Sequence, residues 1–132
     1  MQISATVRNS ADEHAVSVQT GTNRQTLPIA AKAVGRGSAV NGGEFLMLAL
    51  ATCYCNDLYR EAERLGITID GCEVTATASF DGIGLAATTV RYRAKVESSA
   101  SEAAIADLLR QTDAVAEVHN TLRGGVPVTL VT

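Results

Sequence analysis

The longest apolar run of the chain limits its fold more than any other feature. It extends from Phe45 to Cys55 and is interrupted only by Thr52. The run is too short to cross a membrane, because a spanning helix takes about 20 apolar residues, so we expect a core helix and no membrane partner. A helix that is apolar on every face must also be covered on every face. One small domain has difficulty providing that cover, and the run therefore predicts a second subunit.

Local signals predict where this helix begins and ends. Asn41 and Glu44 have the N-x-x-E spacing of a capping box, which places the helix start near Asn41. The helix should continue to about Leu65, where Gly66 can end it in the left-handed conformation that glycine tolerates. Its second half, residues 57–65, is amphipathic and should reach the surface.

Strand and turn patterns occupy most of the remaining chain. Alternating or β-prone segments predict strands at residues 3–8, 14–20, 25–31, 72–80, 90–97 and 126–131. A second helix is predicted at 102–110 or slightly beyond, followed by a short segment at 114–122. The order is therefore βββ-α-ββ-α-β, which predicts an α+β fold with a mostly antiparallel sheet on the central helix. We expect one domain over residues 1–132.

The composition argues against several classes of function. The chain carries a formal net charge of −3 and has no cluster of basic residues, so we expect no nucleic-acid partner. Its 3 cysteines are unevenly spaced and do not form a disulfide framework, which favours a reducing cytoplasm. We expect no signal peptide. No His and Cys residues have metal-ligand spacing, so neither a metal nor a cofactor is expected, and His14 is interpreted as a surface or cap residue.

Cys53 is the main candidate for chemistry. A reactive cysteine must ionise, and apolar burial raises a thiol pKa unless a cation offsets it, so a reactive Cys53 needs an arginine within reach. The alternative is an inert core cysteine, which is common. Cys55 follows two residues later and faces the opposite side of the helix, so it cannot pair with Cys53 unless the helix unwinds. Cys72 faces inward from a strand and is interpreted as core.

Three stretches together resemble the family of osmotically inducible protein C (OsmC) and organic hydroperoxide resistance proteins. Residues 42–53 are similar to the family's central-helix motif, in which an acidic residue precedes the helix that carries the peroxidatic cysteine. Residues 62–67 resemble the end of that helix, and residues 118–128 resemble the C-terminal segment. The resemblance implies the OsmC-like fold and an intertwined homodimer with active sites at the subunit interface. It also implies thiol-dependent reduction of small organic hydroperoxides.

The resemblance also implies roles for particular residues. Cys53 would be the peroxidatic nucleophile and Glu44 its acidic helper, although Glu44 could equally serve only in the capping box. The activating arginine would be Arg36, with Arg8 and Arg24 as alternatives. Glu44 and Cys53 lie about 13.5 Å apart along one helix, so Glu44 could serve only the Cys53 of a partner across antiparallel helices.

The chain departs from the family pattern at two positions. Ala116 stands about where the family has its resolving cysteine, so an external thiol reductant would have to resolve the oxidised Cys53. Gly43 stands where many members have the acidic residue that Glu44 supplies here. His119 is interpreted as a helix-end cap, with a polar group in the pocket as the alternative.

Two functions remain open, and with them the question of whether the chain is an enzyme. The first is a thiol peroxidase for organic hydroperoxides, which acts in oxidative stress defence through Cys53. The second is a non-catalytic homodimer that binds a small apolar ligand. An activated thiol at Cys53 would favour the first, and an ordinary thiol would favour the second.

Overall fold

The structure, a computed structural model, describes all 132 residues as five strands and three helices. In chain order these are β1 (Ile3–Asn9), β2 (His14–Thr20), β3 (Asn23–Leu27), α1 (Gly42–Arg64), β4 (Gly71–Phe80), β5 (Ala87–Glu97), α2 (Glu102–Val115) and α3 (Glu117–Gly124). Every strand pair is antiparallel. The predicted α+β class is therefore confirmed.

The chain divides into two compact units, residues 1–45 and 46–132. The first unit contains a sheet in the order β1-β2-β3, in which Ile3 pairs with Thr20 and Val16 pairs with Leu27. Its tight turn between β2 and β3 is possible because Gly21 adopts a φ of 58°, a conformation that other residues avoid. The expectation of one domain over residues 1–132 stays a prediction.

Both ends of α1 follow the local signals of the sequence. The Asn41 side-chain oxygen accepts a hydrogen bond from the Glu44 backbone N–H at 2.8 Å, and the Glu44 carboxylate accepts one from the Asn41 N–H at 3.1 Å. This is the predicted capping box. At the other end Gly66 has a φ of 68°, and the N–H of Ile67 donates to the carbonyl of Ala62 at 2.8 Å. The predicted glycine termination is also confirmed.

The core of the second unit lies between α1, the β4–β5 hairpin and the two C-terminal helices. Its buried apolar residues are Tyr54, Leu58, Ala62, Leu108 and Ala116. Alternate hairpin residues pack against them, while the residues between point away, which is the period of two expected for a half-buried sheet. The α1 residues Tyr54, Leu58 and Ala62 pack in this core and so fix the position of the neighbouring Cys53.

The structure differs from the predicted order at the C-terminus. Residues 126–131, predicted to form a strand, have no hydrogen-bonded neighbour and are irregular. A strand forms only where a second strand pairs with it. Neither β4 nor β5 pairs with residues 126–131. The preceding segment forms α3 instead, which ends at Gly125 with a φ of 61°. Val128 is 100% exposed and Leu130 is 87% exposed.

The first half of α1 is apolar but only partly covered. Leu50 is 2% exposed, whereas Leu48 is 57% exposed. No helix of the structure combines the length and the apolar character that crossing a membrane would require.

Candidate functional site

Cys53 lies half-buried on α1 among charged side chains. Its Sγ is 3.7 Å from Oδ2 of Asp57 and 3.8 Å from Oε2 of Glu117, so the thiol donates towards both carboxylates. Arg60 Nη1 is 2.9 Å from Oδ1 of Asp57 and 3.9 Å from Oε1 of Glu117. These four residues, Cys53, Asp57, Arg60 and Glu117, are called the Cys53 cluster below.

Two elements bring the Cys53 cluster together. Asp57 and Arg60 follow Cys53 on α1 at the spacing of one and two turns, which puts all three on one helix face. Glu117 is the first residue of α3 and comes from a distant part of the sequence. Ala116 precedes it with extended backbone and a fully buried side chain, and so anchors the α2–α3 junction against the core.

The surroundings keep the Cys53 thiol protonated. Burial raises its pKa above the ordinary value, a backbone hydrogen bond from Val118 opposes that rise, and the charges of Asp57 and Glu117 add to it. Burial also raises the pKa of Asp57, as does the charge of Glu117, while Arg60 opposes the rise. The cluster therefore holds a thiol beside two carboxyl groups whose oxygens accept its hydrogen.

The cluster also has the spacing of a possible metal site. The ligand atoms of Cys53, Asp57 and Glu117 all lie within 4.8 Å of one another. The sequence pattern predicted no metal site, because Glu117 is 64 residues from Cys53 along the chain. Arg60 already supplies a positive charge to both carboxylates. We therefore interpret the group as a thiol with proton acceptors.

The other predicted site residues lie outside the Cys53 cluster. Glu44 is part of the capping box, the structural alternative for this residue. Arg36 is exposed in the loop before α1 and makes no ion pair. Arg8 pairs with Glu13 at 3.1 Å, and Arg24 donates to Ser17 at 3.2 Å. Catalytic roles for Glu44 and Arg36 remain predictions.

The sequence pattern missed three members of the Cys53 cluster. Asp57 and Arg60 could have been found, because the predicted helix and a spacing of four and seven residues already place them on the face of Cys53. Glu117 carries no such signal. It reaches Cys53 only because the chain turns at Ala116 between two helices.

His119 is a buried residue, and its interpretation as a helix-end cap is wrong. Its side chain is on the inner face of α3, where the residue is 3% exposed and both ring nitrogens lack a hydrogen-bond partner. Its ring packs edge-on against Tyr92 with centroids 4.4 Å apart. Burial lowers its pKa, as does the charge of Arg123, so the imidazole is neutral at pH 7. His119 lines a pocket of about 240 Å³ together with Leu50, Val90, Tyr92, Leu122 and Arg123.

The two remaining cysteines also lie together. The sulfur atoms of Cys55 on α1 and Cys72 on β4 are 3.4 Å apart, and both are free thiols. Cys55 is two residues from Cys53 on α1, and no disulfide joins them. Cys72 packs against the core as expected, but its sulfur also faces Cys55.

A comparison with known proteins identifies the family to which this chain belongs. A model of the family described as OsmC-like protein matches residues 35–131. An OsmC-like protein from Mycoplasma pneumoniae has 22% identity and a TM-score of 0.68, and the match covers 99% of this chain and 96% of that one. The organic hydroperoxide resistance protein OsmC of Legionella pneumophila has 18% identity and a TM-score of 0.64, with 98% and 95% covered. OhrB of Bacillus subtilis has 17% identity and a TM-score of 0.58, with 98% and 96% covered. No curated protein sequence matches.

At these identities the solved structures show a common fold and no more. The family model adds sequence information over most of the chain, including α1 with Cys53 and all but the last residue of the second unit. The chain belongs to the OsmC-like family.

Proposed function

We propose that this chain reduces organic hydroperoxides through Cys53 and uses an external thiol as reductant. The observation that carries the proposal is the Cys53 cluster, in which a thiol lies beside two carboxylates and a guanidinium in a fold of this family. Similar structures from Legionella pneumophila, Elizabethkingia anophelis and Bacillus subtilis are those of organic hydroperoxide resistance proteins.

The proposed reaction begins with a proton transfer from Cys53 to the carboxylate of Asp57, the buried acceptor of the pair. The sulfur then attacks one peroxide oxygen, the O–O bond breaks, and the departing alkoxide takes the proton back to leave as an alcohol. Cys53 is left as a sulfenic acid. The backbone N–H of Val118 favours the transient thiolate.

The proposed return step needs a sulfur from outside the chain. Ala116, at the family's resolving position, is fully buried and has no reactive group. An external thiol attacks the sulfenic sulfur and water leaves, which gives a mixed disulfide. A second thiol then releases Cys53 by exchange.

We further propose a homodimer that completes this site. Exposed Leu48 on the apolar half of α1 supports a second subunit, because water disfavours an uncovered leucine. Arg36 has no ion-pair partner in its own chain, which leaves its charge available to another. In this dimer Glu44 and Arg36 of one subunit would serve Cys53 of the other, in a cytoplasmic protein of one domain per chain.

Hydroperoxide consumption tests the proposal directly. With tert-butyl hydroperoxide and dithiothreitol, Cys53→Ser should lower the initial rate by about 100-fold or more, because nucleophile and proton transfer are lost together. Cys72→Ala is the matched control and should keep the rate. Mass spectrometry after a brief exposure should find sulfenic acid at Cys53. Full activity in Cys53→Ser would rule the proposal out.

One observation favours the alternative function, a non-catalytic protein that binds a small apolar ligand. The pocket beside His119 is mainly apolar and contains two buried nitrogens without partners, the usual pattern of a small-ligand site. The raised pKa of Cys53 also fits an inert thiol. This alternative predicts that Cys53 reacts with iodoacetamide no faster than an ordinary cysteine at pH 7, and rapid labelling would argue against it.

A further inference from the structure

Cys55 and Cys72 form a pair of thiols that the Cys53 cluster does not use. Their sulfur atoms are 3.4 Å apart, and both side chains are half-buried. A disulfide joins its sulfurs at about 2.05 Å, so closing the pair needs only a short movement of two side chains. No unwinding of α1 is required, unlike a bond between Cys53 and Cys55.

The two thiols stand on elements that are held firmly in place. Cys72 lies on β4, where its backbone is paired with Val96 of β5. Cys55 lies on α1 one turn before Leu58, which is 0% exposed in the core. Because packing fixes both elements, the short separation of the sulfurs is a property of the fold and not of a mobile loop.

We propose that Cys55 and Cys72 form a reversible disulfide that fastens α1 to β4 when a hydroperoxide oxidises one of them. The attacked peroxide loses its O–O bond and leaves as an alcohol, while the attacking sulfur becomes a sulfenic acid. The second thiol attacks that sulfur, the S–S bond forms, and water leaves. The two thiols supply the two electrons that the hydroperoxide accepts, and an external thiol reverses the change by exchange.

The chemistry of the pair differs from that of a catalytic thiol. Burial and the neighbouring Cys72 raise the pKa of Cys55, so the Cys55 thiol stays protonated at neutral pH and reacts slowly. The disulfide between Cys55 and Cys72 therefore accumulates only during prolonged oxidation, and the pair is not a fast catalyst of peroxide reduction. The disulfide closes a short loop through the end of α1, which should stabilise the folded chain. None of this depends on the activity proposed for Cys53.

The test uses the full chain with Cys53→Ser, so that only Cys55 and Cys72 remain as thiols. Prolonged treatment with tert-butyl hydroperoxide should remove both thiols from alkylation, and peptide mapping should find the Cys55–Cys72 linkage. The melting temperature should rise by about 10 °C. Dithiothreitol should restore both thiols and the original melting temperature.

Two controls separate the disulfide from general oxidation. Chains with Cys53→Ser and either Cys55→Ala or Cys72→Ala should show no internal link and no rise in melting temperature. Two thiols that stay open to alkylation, sulfinic acid at one cysteine without a link, or a link between chains would each overturn the proposal. Such a failure would leave the Cys53 turnover test unaffected, so the two proposals can fail separately.

Discussion

The carboxylates beside Cys53 have opposite effects on its reactivity. Their charge disfavours the thiolate and so raises the pKa of the sulfur. Their oxygens also accept the thiol hydrogen, which places a base next to the nucleophile. The balance of these effects decides whether Cys53 acts as the proposed nucleophile or stays an inert thiol.

Glu117→Gln should lower the pH at which Cys53 becomes reactive, since it removes a negative charge 3.8 Å from the sulfur. The measurement is the iodoacetamide rate against pH in a chain with Cys55→Ala and Cys72→Ala, where Cys53 is the one remaining thiol. Glu63→Gln, an exposed change on α1, the helix of Cys53, should leave the profile in place. An unchanged or upward-shifted midpoint in Glu117→Gln would contradict the role of this charge.

His119 should make the protein sensitive to mild acid. Burial lowers its folded pKa below the ordinary value, so its contribution to stability is complete above a pH of about 6.5 and is lost as pH falls through the folded pKa. Urea unfolding on both sides of this pH should show the loss. His119→Phe should flatten the dependence in this range, whereas His14→Phe should preserve it. Equal slopes in all three proteins would exclude His119 as the cause.

At the scale of elements, α2 holds α1 in position through buried packing and a hydrogen bond. Leu108 and Thr112 of α2 are both 0% exposed. The Tyr54 hydroxyl of α1 donates to the carbonyl of Leu109 at 2.7 Å, and the Tyr92 hydroxyl of β5 donates to Asp113. Apolar packing and the Tyr54 hydroxyl thus tie α2 to the helix that carries Cys53, and the Tyr92 hydroxyl ties α2 to β5.

Leu108→Ala should destabilise the chain by about 2–5 kcal/mol, because truncating a fully buried leucine removes its contacts and leaves a cavity. Leu130→Ala, at a residue that is 87% exposed, should change the free energy of unfolding by less than about 0.5 kcal/mol. Urea titration of both variants gives the comparison. Similar losses in the two would mean that α2 is not a main support of the fold.

At the scale of the whole molecule, the exposed apolar side chains support the proposed dimer. Leu48→Glu should therefore convert the proposed dimer to a monomer, because it places a charge on the uncovered face of α1. Light scattering gives the mass. Ala103→Glu adds the same charge on the exposed side of α2 and should leave the dimer intact. A monomeric unmodified chain would contradict the proposed dimer outright.

Local patterns in the sequence predicted much of this molecule. The capping box at Asn41 and the glycine termination at Gly66 depend on residues a few positions apart, and both are confirmed. The partnership of Cys53 with Glu117, like that of Cys55 with Cys72, depends on how helices and strands pack, which local spacing does not encode. The predicted strand at 126–131 likewise needed a neighbour that the single chain does not provide.

The unpaired segment after Gly125 is exposed to proteases. Its irregular, exposed backbone is the kind that proteases cut first. If a second subunit covers the segment, assembly protects it, and mass action makes that protection stronger as the concentration of the chain rises. Dilute chains would then be trimmed and concentrated ones spared, so the cell would set the survival of this protein partly through how much of it is made.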